Sequence, residues 1–319
     1  MNILDRLDPE QTPILDRIAK EQLDLTDIPG TRARLKQQKD LERASLTLPP
    51  DITITDQRIP GGDGETDITV RIYRPQAQSE ILPGILYIHG GGYILGTLDD
   101  GDELACSWAR DVRCVVVSVD YRLAPEHPFP TPLEDCYTAL KWFSQNAGQL
   151  GADPKRIAIA GGSAGGGLAA GLALLARDRG EVSVCFQLLA YPMIDDRGCT
   201  PSSQNHDIPG WTVENNRIGW KSYLGEQAGG QDVSPYAAAA RATDLKGLPP
   251  AYIFVGELDL FLDEDIEYAQ RLLQAGVPTE LHVYPGSLHA FDIAAPEATM
   301  ARRAQAEQVA VLKKALHGS

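Results

Sequence analysis

The sequence predicts an α/β fold in which a mostly parallel central sheet of about eight strands is flanked by helices and carries a helical cap. Two observations indicate this architecture. Six short segments are apolar without alternation, as strands buried on both faces are: ILYI, CVVVSV, IAIA, VCFQLLA, AYIFV and ELHVY. The stretches between them are long enough for helices, which favours parallel strands joined by helical crossovers.

Two segments do not fit the alternation of strands and helices. Residues 1–48 place apolar and charged positions at about helical spacing until the Pro49-Pro50 pair ends the pattern, so they predict an N-terminal helical arm. Residues 195–235 would be an improbably long loop inside a compact domain, and they contain an amphipathic stretch. We therefore expect this insertion to form a cap together with the arm.

The main domain is assigned to residues 49–194 and 236–319. It begins with ITITDQRI and TDITVRIYR, which are rich in β-branched residues and separated by a Pro-Gly-Gly turn, so they should pair as antiparallel strands. ELHVY, the last predicted strand, should lie at an edge of the sheet, where a second copy could pair with it to form a homodimer. Helices are predicted at Leu133 to Ala147, Ala164 to Arg177, Asp263 to Ala275 and about Pro296 to Leu316.

Composition excludes several classes of protein. The 29 Lys and Arg residues against 44 Asp and Glu residues give a net charge of -15, which disfavours nucleic acid and anionic membranes as partners. We find neither a signal peptide nor a membrane-spanning segment in the sequence. The five cysteines are scattered without a C-x-x-C pair, as in proteins of a reducing compartment. We expect a cytoplasmic protein.

The stretch Gly161-Gly162-Ser163-Ala164-Gly165 fits the pattern G-x-S-x-G. It lies between the apolar IAIA and a predicted helix, the context in which a sharp turn presents a nucleophilic serine. The motif alone leaves a second interpretation open, in which Ser163 only caps the helix in a tight turn. A phosphate-binding P-loop is excluded, because the chain contains no Gly-Lys dipeptide.

A second glycine-rich motif, His89-Gly90-Gly91-Gly92-Tyr93, comes directly after the predicted strand ILYI. An attacking serine creates a tetrahedral oxyanion that needs preorganised donors, and glycines allow backbone N–H groups to turn toward that oxygen. We interpret His89 itself as a buried structural histidine that holds this loop by hydrogen bonds.

Nucleophilic catalysis by serine also needs a base and an acid that orients it. His289, after ELHVY, is the histidine whose position in the chain and loop suits the base. Glu257, Asp259 and Asp263 come after AYIFV; we favour Asp259, because Glu257 is nearer the strand and Asp263 is expected at a helix N-terminus. No H-E-x-x-H or other metal-ligand spacing accompanies the histidines, so no metal is predicted.

Five segments carry a resemblance to a known family: HGGGY (89–93), VDYRLAPEHPFPTPLED (119–135), GGSAGG (161–166), ELDLFLD (257–263) and GSLHAF (286–291). From about residue 51 to its end the chain resembles the hormone-sensitive-lipase-like carboxylesterases, bacterial family IV of the α/β-hydrolase fold. This resemblance implies Ser163 as the nucleophile, His289 as general base and acid, and Asp259 as its orienting partner.

The resemblance also implies an oxyanion hole and a cap. The hole would be formed by the backbone N–H groups of Gly91, Gly92 and Ala164, with Gly90 a weaker candidate. Two positions depart from the family pattern. Gly162 stands where the family usually has an acid, and Leu260 stands where it usually has a proline after the aspartate. Both changes add backbone freedom, so we expect lower turnover or stability.

The expected function is that of a serine carboxylesterase that cleaves short-chain or otherwise small esters and uses no cofactor. The expected partner is a small-molecule ester. Tyr93 and Trp211 are candidate substrate contacts, with ordinary aromatic packing as the alternative for each. The same chemistry would serve amides, lactones or acetylated small molecules. A non-catalytic receptor on this fold is a further alternative, against which the presence of His289 counts.

Overall fold

A computed structural model of the protein describes residues 3–21, 23–45, 49–76 and 80–318. Within these residues, eight strands form one sheet in the spatial order β1-β2-β4-β3-β5-β6-β7-β8. The strands are β1 (Ile52–Pro60), β2 (Asp67–Pro75), β3 (Leu82–Ile88), β4 (Val115–Asp120), β5 (Ala152–Gly162), β6 (Phe186–Ala190), β7 (Ala251–Leu258) and β8 (Thr279–Leu288).

The predicted sheet is confirmed. Strand β2 pairs antiparallel with β1 and β4, and the six strands β4-β3-β5-β6-β7-β8 pair parallel with one another. Strands β3 and β6 are buried along their whole lengths, as their unbroken apolar sequences predict. Strand β8 lies at one edge and extends beyond ELHVY to Leu288, so it ends immediately before His289.

The helices agree with the sequence-based expectation to within a few residues at each end. Helices α4 and α5 pack against β5, and α7 packs against β7 and β8. Among the described residues, no helix is both long and apolar enough to cross a membrane. The helices are α1 (Thr12–Glu21), α2 (Ile28–Ser45), α3 (Asp102–Trp108), α4 (Thr131–Leu150), α5 (Ala164–Arg179), α6 (Val213–Leu224), α7 (Leu262–Gln274), α8 (Phe291–Ala294) and α9 (Thr299–His317).

Among the described residues, the N-terminal arm contains the α-helices α1 and α2, and the insertion contains the α-helix α6. Arg32 on α2 fastens the arm to the main domain, since its guanidinium donates to the carbonyls of Ile94 and Ala124 at 2.7 and 2.6 Å and pairs with Glu126 at 2.9 Å. Residues 1–2, 22 and 46–48 of the predicted arm lie outside the described residues. The boundaries between arm, main domain and cap insertion remain a prediction.

Helix α7 carries two buried acids near its first turn. One carboxyl oxygen of Glu264 accepts hydrogen bonds from the amides of Ile194 and Asp195 at 2.9 and 3.1 Å, which holds the loop after β6. The Asp265 carboxyl is fully buried and accepts no hydrogen bond from any described residue. Burial raises the pKa of Asp265 well above its usual range, with the neighbouring charge of Glu264 adding to the effect.

Asp265→Asn is expected to stabilise the protein at neutral pH. Because the folded-state pKa of Asp265 is raised, its contribution to stability is complete below the unfolded pKa and is lost as pH rises. The loss amounts to about 1.4 kcal/mol per pH unit until the folded pKa is reached. Thermal unfolding at pH 8 should therefore show Tm of the variant above the wild type by several degrees, with a smaller difference at pH 5.

Glu267→Gln is the matched control, because Glu267 lies on the same helix with an exposed side chain. It should change Tm little at either pH. Equal Tm values for Asp265→Asn and the wild type at pH 8 would contradict the prediction.

Candidate active site

Ser163 occupies the turn between β5 and α5. Its backbone has φ 56° and ψ -123°, a left-handed conformation that is strained for any residue with a side chain. Three hydrogen bonds hold this turn: the Ser163 amide donates to the Ala190 carbonyl at 2.9 Å, and its carbonyl accepts from the amides of Gly167 and Met193 at 2.9 and 3.0 Å. The end of β6 and the loop after it therefore fix the serine backbone.

The glycines around the serine are required by close approach of the backbone. A Cβ atom at Gly161 would lie 2.2 Å from the carbonyl oxygen of Gly165, and one at Gly165 would lie 2.1 Å from that of Ile88. Neither distance leaves room for a side chain. Gly162 is different, because a Cβ there would make only ordinary contacts, the nearest being 3.4 Å from the Tyr191 ring.

The Ser163 side chain faces a histidine and does not cap α5. Ser163 Oγ lies 3.0 Å from His289 Nε2, and it makes no capping hydrogen bond to the helix. His289 Nδ1 lies 2.7 Å from Asp259 Oδ2. Asp259 is 1% exposed, and its other oxygen accepts from the Phe261 amide at 3.0 Å. This geometry favours the nucleophile interpretation over the helix-cap interpretation that the sequence motif left open.

Of the three acids at the end of β7 and after it, Asp259 alone reaches His289. Glu257 pairs with Arg6 and accepts from the Gly286 amide at 2.8 Å. Asp263 accepts from the Ser202 amide at 2.8 Å, which ties the start of α7 to the cap insertion. The loop that carries Asp259 has Leu260 where the family usually has a proline. It is still held in place, because the Leu260 carbonyl accepts a hydrogen bond from Ser202 Oγ at 2.9 Å.

The glycine loop after β3 lies beside the serine. Gly91 and Gly92 have φ values of 112° and 60°, which a residue with a side chain rarely adopts. A Cβ atom at Gly90 would lie 3.4 Å from Ser163 Cβ. Within the described residues, the amides of Gly91 and Gly92 donate no hydrogen bond. These N–H groups are therefore available for a bound oxygen, as is that of Ala164 at the first position of α5.

His89 is 1% exposed, in keeping with the structural role predicted for it. Its ring stacks on Tyr121 at a centroid distance of 4.3 Å, and the Tyr121 hydroxyl donates to the His89 carbonyl at 3.0 Å. His89 Nδ1 also lies 2.8 Å from the Gly90 carbonyl oxygen. Burial lowers the pKa of His89, which favours the neutral ring.

A cavity of about 680 Å³ opens onto Ser163 and His289, between the arm and the main domain. Both segments contribute apolar and charged side chains. Its apolar lining includes Leu23, Leu35, Leu95, Leu104 and Leu123, and its charged lining includes Arg17, Arg32, Lys36, Lys39, Asp100 and Glu103.

The two candidate substrate contacts have different positions. Trp211 lines the cavity and covers Gly92 so closely that a Cβ there would lie 2.0 Å from the indole. Tyr93 lies outside the cavity lining and is fully buried. Its ring stacks on Tyr223, and its hydroxyl donates to the Met193 carbonyl at 2.7 Å. Tyr93 therefore packs in the core and is not placed to contact a substrate in this cavity.

Two polar residues beside His289, Tyr191 and Asp292, are not evident from the sequence. The Tyr191 ring lies 4.8 Å from the imidazole, and its hydroxyl donates to Asp292 Oδ1 at 2.8 Å. Their positions in the chain offered one indication, since Tyr191 is the first residue after β6 and Asp292 is three residues after His289. Nothing in the sequence pattern pairs them.

Asp259→Asn is expected to lower kcat for ester hydrolysis by about a thousandfold or more, because an amide cannot hold the imidazole in the required tautomer or stabilise the imidazolium. Steady-state kinetics would measure the loss. Asp263→Asn is the matched control: its amide oxygen can still accept from Ser202, so kcat should stay within about threefold of the wild type. A larger loss in Asp263→Asn than in Asp259→Asn would contradict the choice of acid.

The chain is similar to known proteins along most of its length. Residues 85–293 match a family model described as alpha/beta hydrolase fold. Carboxylesterase NlhH of Mycobacterium tuberculosis is 40% identical, with 96% of this chain and 97% of that protein covered. The solved structure of a bacterial heroin esterase has a TM-score of 0.91 at 43% identity, with 98% of this chain and 99% of that chain covered.

Proposed function

The chain belongs to the hormone-sensitive-lipase-like family of α/β hydrolases and is a carboxylic ester hydrolase. From this premise, we propose that it hydrolyses short-chain or otherwise small esters and that Ser163, His289 and Asp259 are its catalytic residues. The observation that supports these roles best is the hydrogen-bonded chain from Ser163 Oγ to His289 to Asp259 at the edge of the cavity. The cavity volume of about 680 Å³ suits a small-molecule ester.

In the first half of the proposed reaction, Ser163 Oγ attacks the ester carbonyl carbon while His289 Nε2 takes its proton. The N–H groups of Gly91, Gly92 and Ala164 stabilise the oxyanion that forms. His289 then gives its proton to the leaving alcohol, and an acyl group remains on the serine. Asp259 keeps the imidazole oriented and stabilises its charged form throughout.

In the second half, water replaces the alcohol. The water oxygen attacks the acyl carbon while His289 Nε2 takes a proton from the water. His289 then gives this proton to Ser163 Oγ as the bond to the acyl carbon breaks, and the carboxylic acid leaves. Trp211, which covers Gly92, is placed to contact the substrate beside the oxyanion.

Ser163→Ala should abolish turnover of p-nitrophenyl acetate, because no other group replaces the attacking oxygen. We expect kcat to fall by at least about a thousandfold, measured as release of p-nitrophenolate. Unchanged thermal unfolding would show that the loss is chemical. Hydrolysis at the wild-type rate by the variant would refute the assignment of this serine.

The acyl substrate has a second candidate class, which comprises amides, lactones and acetylated small molecules. The structurally similar bacterial heroin esterase is named for an ester of a small molecule, which supports small-molecule esters as the substrate class. Assaying the purified enzyme on acyl chains of increasing length, and then on amides and lactones, separates esters from amides and lactones. Our proposal requires the highest kcat/KM on short-chain esters.

We also propose a homodimer that pairs through strand β8. This strand lies at the edge of the sheet, and Val283 in its middle is 41% exposed. An edge strand presents unpaired backbone groups that a second copy can bind.

Sedimentation velocity should therefore show a dimer, and Val283→Asp should shift it to monomer, because two like charges would meet across the pair. Ile81→Asp is the control, since Ile81 is an exposed apolar residue outside β8. A monomeric wild type at micromolar concentration would contradict the proposal.

We further propose that the protein is cytoplasmic. All five cysteines are free, including the exposed Cys199, and a reducing compartment preserves such thiols.

A further inference from the structure

We propose that Tyr191 and Asp292 form a positioning pair that holds His289 against Ser163, and that position 162 is glycine because a carboxylate there would compete with Asp292 for the Tyr191 hydroxyl. This inference rests on the proposed function, in which His289 is the base. It goes beyond that function because neither residue belongs to the serine, histidine and aspartate of the reaction.

Tyr191 is fixed at both ends. Its backbone has φ 36°, in the left-handed region that a tyrosine rarely adopts, and its amide donates to the Phe254 carbonyl at 2.6 Å. Strain of this kind persists only where the surroundings impose it, and it concentrates at functional sites. The side chain is 4% exposed and packs against the imidazole of His289. Tyr191 is also the neighbour of Ala190, whose carbonyl accepts from the Ser163 amide.

Asp292 ties the loop of His289 to this tyrosine. The residue is 1% exposed, and its two carboxyl oxygens accept from different donors: the Tyr191 hydroxyl at 2.8 Å and Gln308 Nε2 at 3.1 Å. Its backbone carbonyl accepts from Gln305 Nε2 at 2.7 Å. Helix α9 and the end of β6 therefore hold the segment that carries His289 from two sides.

These contacts restrict the imidazole at the place where the reaction needs it. His289 must remain within hydrogen-bond reach of Ser163 Oγ while it gains and loses a proton. Asp259 fixes Nδ1, but a single hydrogen bond leaves the ring free to rock about that bond. The Tyr191 and Phe261 rings, at centroid distances of 4.8 and 5.2 Å, limit this rocking. Since Asp292 holds the Tyr191 hydroxyl, it acts on His289 through that ring.

Gly162 completes the arrangement. A Cβ atom at this position would lie 3.6 Å from the Tyr191 hydroxyl oxygen, so an aspartate could bring its carboxylate to the same phenol that Asp292 binds. Two carboxylates that share one buried donor repel each other, and the donor can serve only one of them well. Asp292, three residues after His289, therefore provides the carboxylate that binds the Tyr191 hydroxyl, and position 162 has no side chain.

The test is a comparison of kcat and KM for p-nitrophenyl acetate in five variants. Tyr191→Phe and Asp292→Asn should each lower kcat about tenfold, because they disturb the base. Both residues also line the cavity, but each substitution keeps the size of the side chain, so KM should stay within about twofold. Gly162→Asp should lower kcat at least about tenfold. Gly162→Asn, equal in size but uncharged, should lose less.

The fifth variant, Gly162→Asp with Asp292→Asn, moves the carboxylate to the other side of the phenol. Its kcat should exceed that of Gly162→Asp alone, whereas independent effects would multiply and make it lower. Tyr236→Phe is the matched control, since it removes a tyrosine–aspartate hydrogen bond of 2.8 Å to Asp178, remote from the cavity. It should keep the wild-type kcat.

Two results would overturn the inference: a kcat within twofold of the wild type for Tyr191→Phe, or a double variant no faster than Gly162→Asp. If Asp292→Asn fails to fold, as judged by thermal unfolding, Tyr191→Phe decides. The proposed function is tested separately, because it fails if the wild type does not hydrolyse the ester or if Ser163→Ala does.

Discussion

The strained turn at Ser163 is the constraint on which the rest of the site depends. A serine with φ 56° costs about 1 to 3 kcal/mol of backbone strain, which the packed sheet must offset. The strain is maintained because β5 enters the turn and α5 leaves it with backbones in direct contact, which is why Gly161 and Gly165 cannot carry side chains. The consequence is a serine hydroxyl directed away from its own helix and toward His289.

Parallel strand order then brings the remaining groups to that hydroxyl. Because β5, β7 and β8 run in the same direction, their carboxyl ends lie on the same side of the sheet. Residues more than a hundred positions apart in the chain meet there. Ser163, Asp259 and His289 each come directly after the last residue of one of these strands. The N-terminal arm, held by Arg32, covers these carboxyl ends. Ser163 and His289 therefore lie between the sheet and the arm.

Periodicity and chain order could be interpreted from the sequence, whereas the direction of individual side chains could not. Apolar runs identified the strands of the sheet, and the order of serine, acid and histidine identified groups that lie within hydrogen-bond distance. The sequence left two roles open for Tyr93, substrate contact and core packing, and its buried ring with a backbone φ of 66° favours packing. The bond between Tyr191 and Asp292 joins two loops whose approach no local pattern encodes. It also gives a physical reason for Gly162, which the family resemblance alone left unexplained.

The most direct test of a serine nucleophile activated by His289 is to trap the acyl-enzyme. Enzyme mixed with p-nitrophenyl acetate, quenched in acid during turnover and digested, should yield one peptide heavier by an acetyl group, with the modification on Ser163 by tandem mass spectrometry. The same experiment on His289→Asn should give far less of this peptide at early times, because the base that activates the serine is gone. An acetyl group found reproducibly on another residue, or equally rapid acylation without His289, would contradict the proposed mechanism.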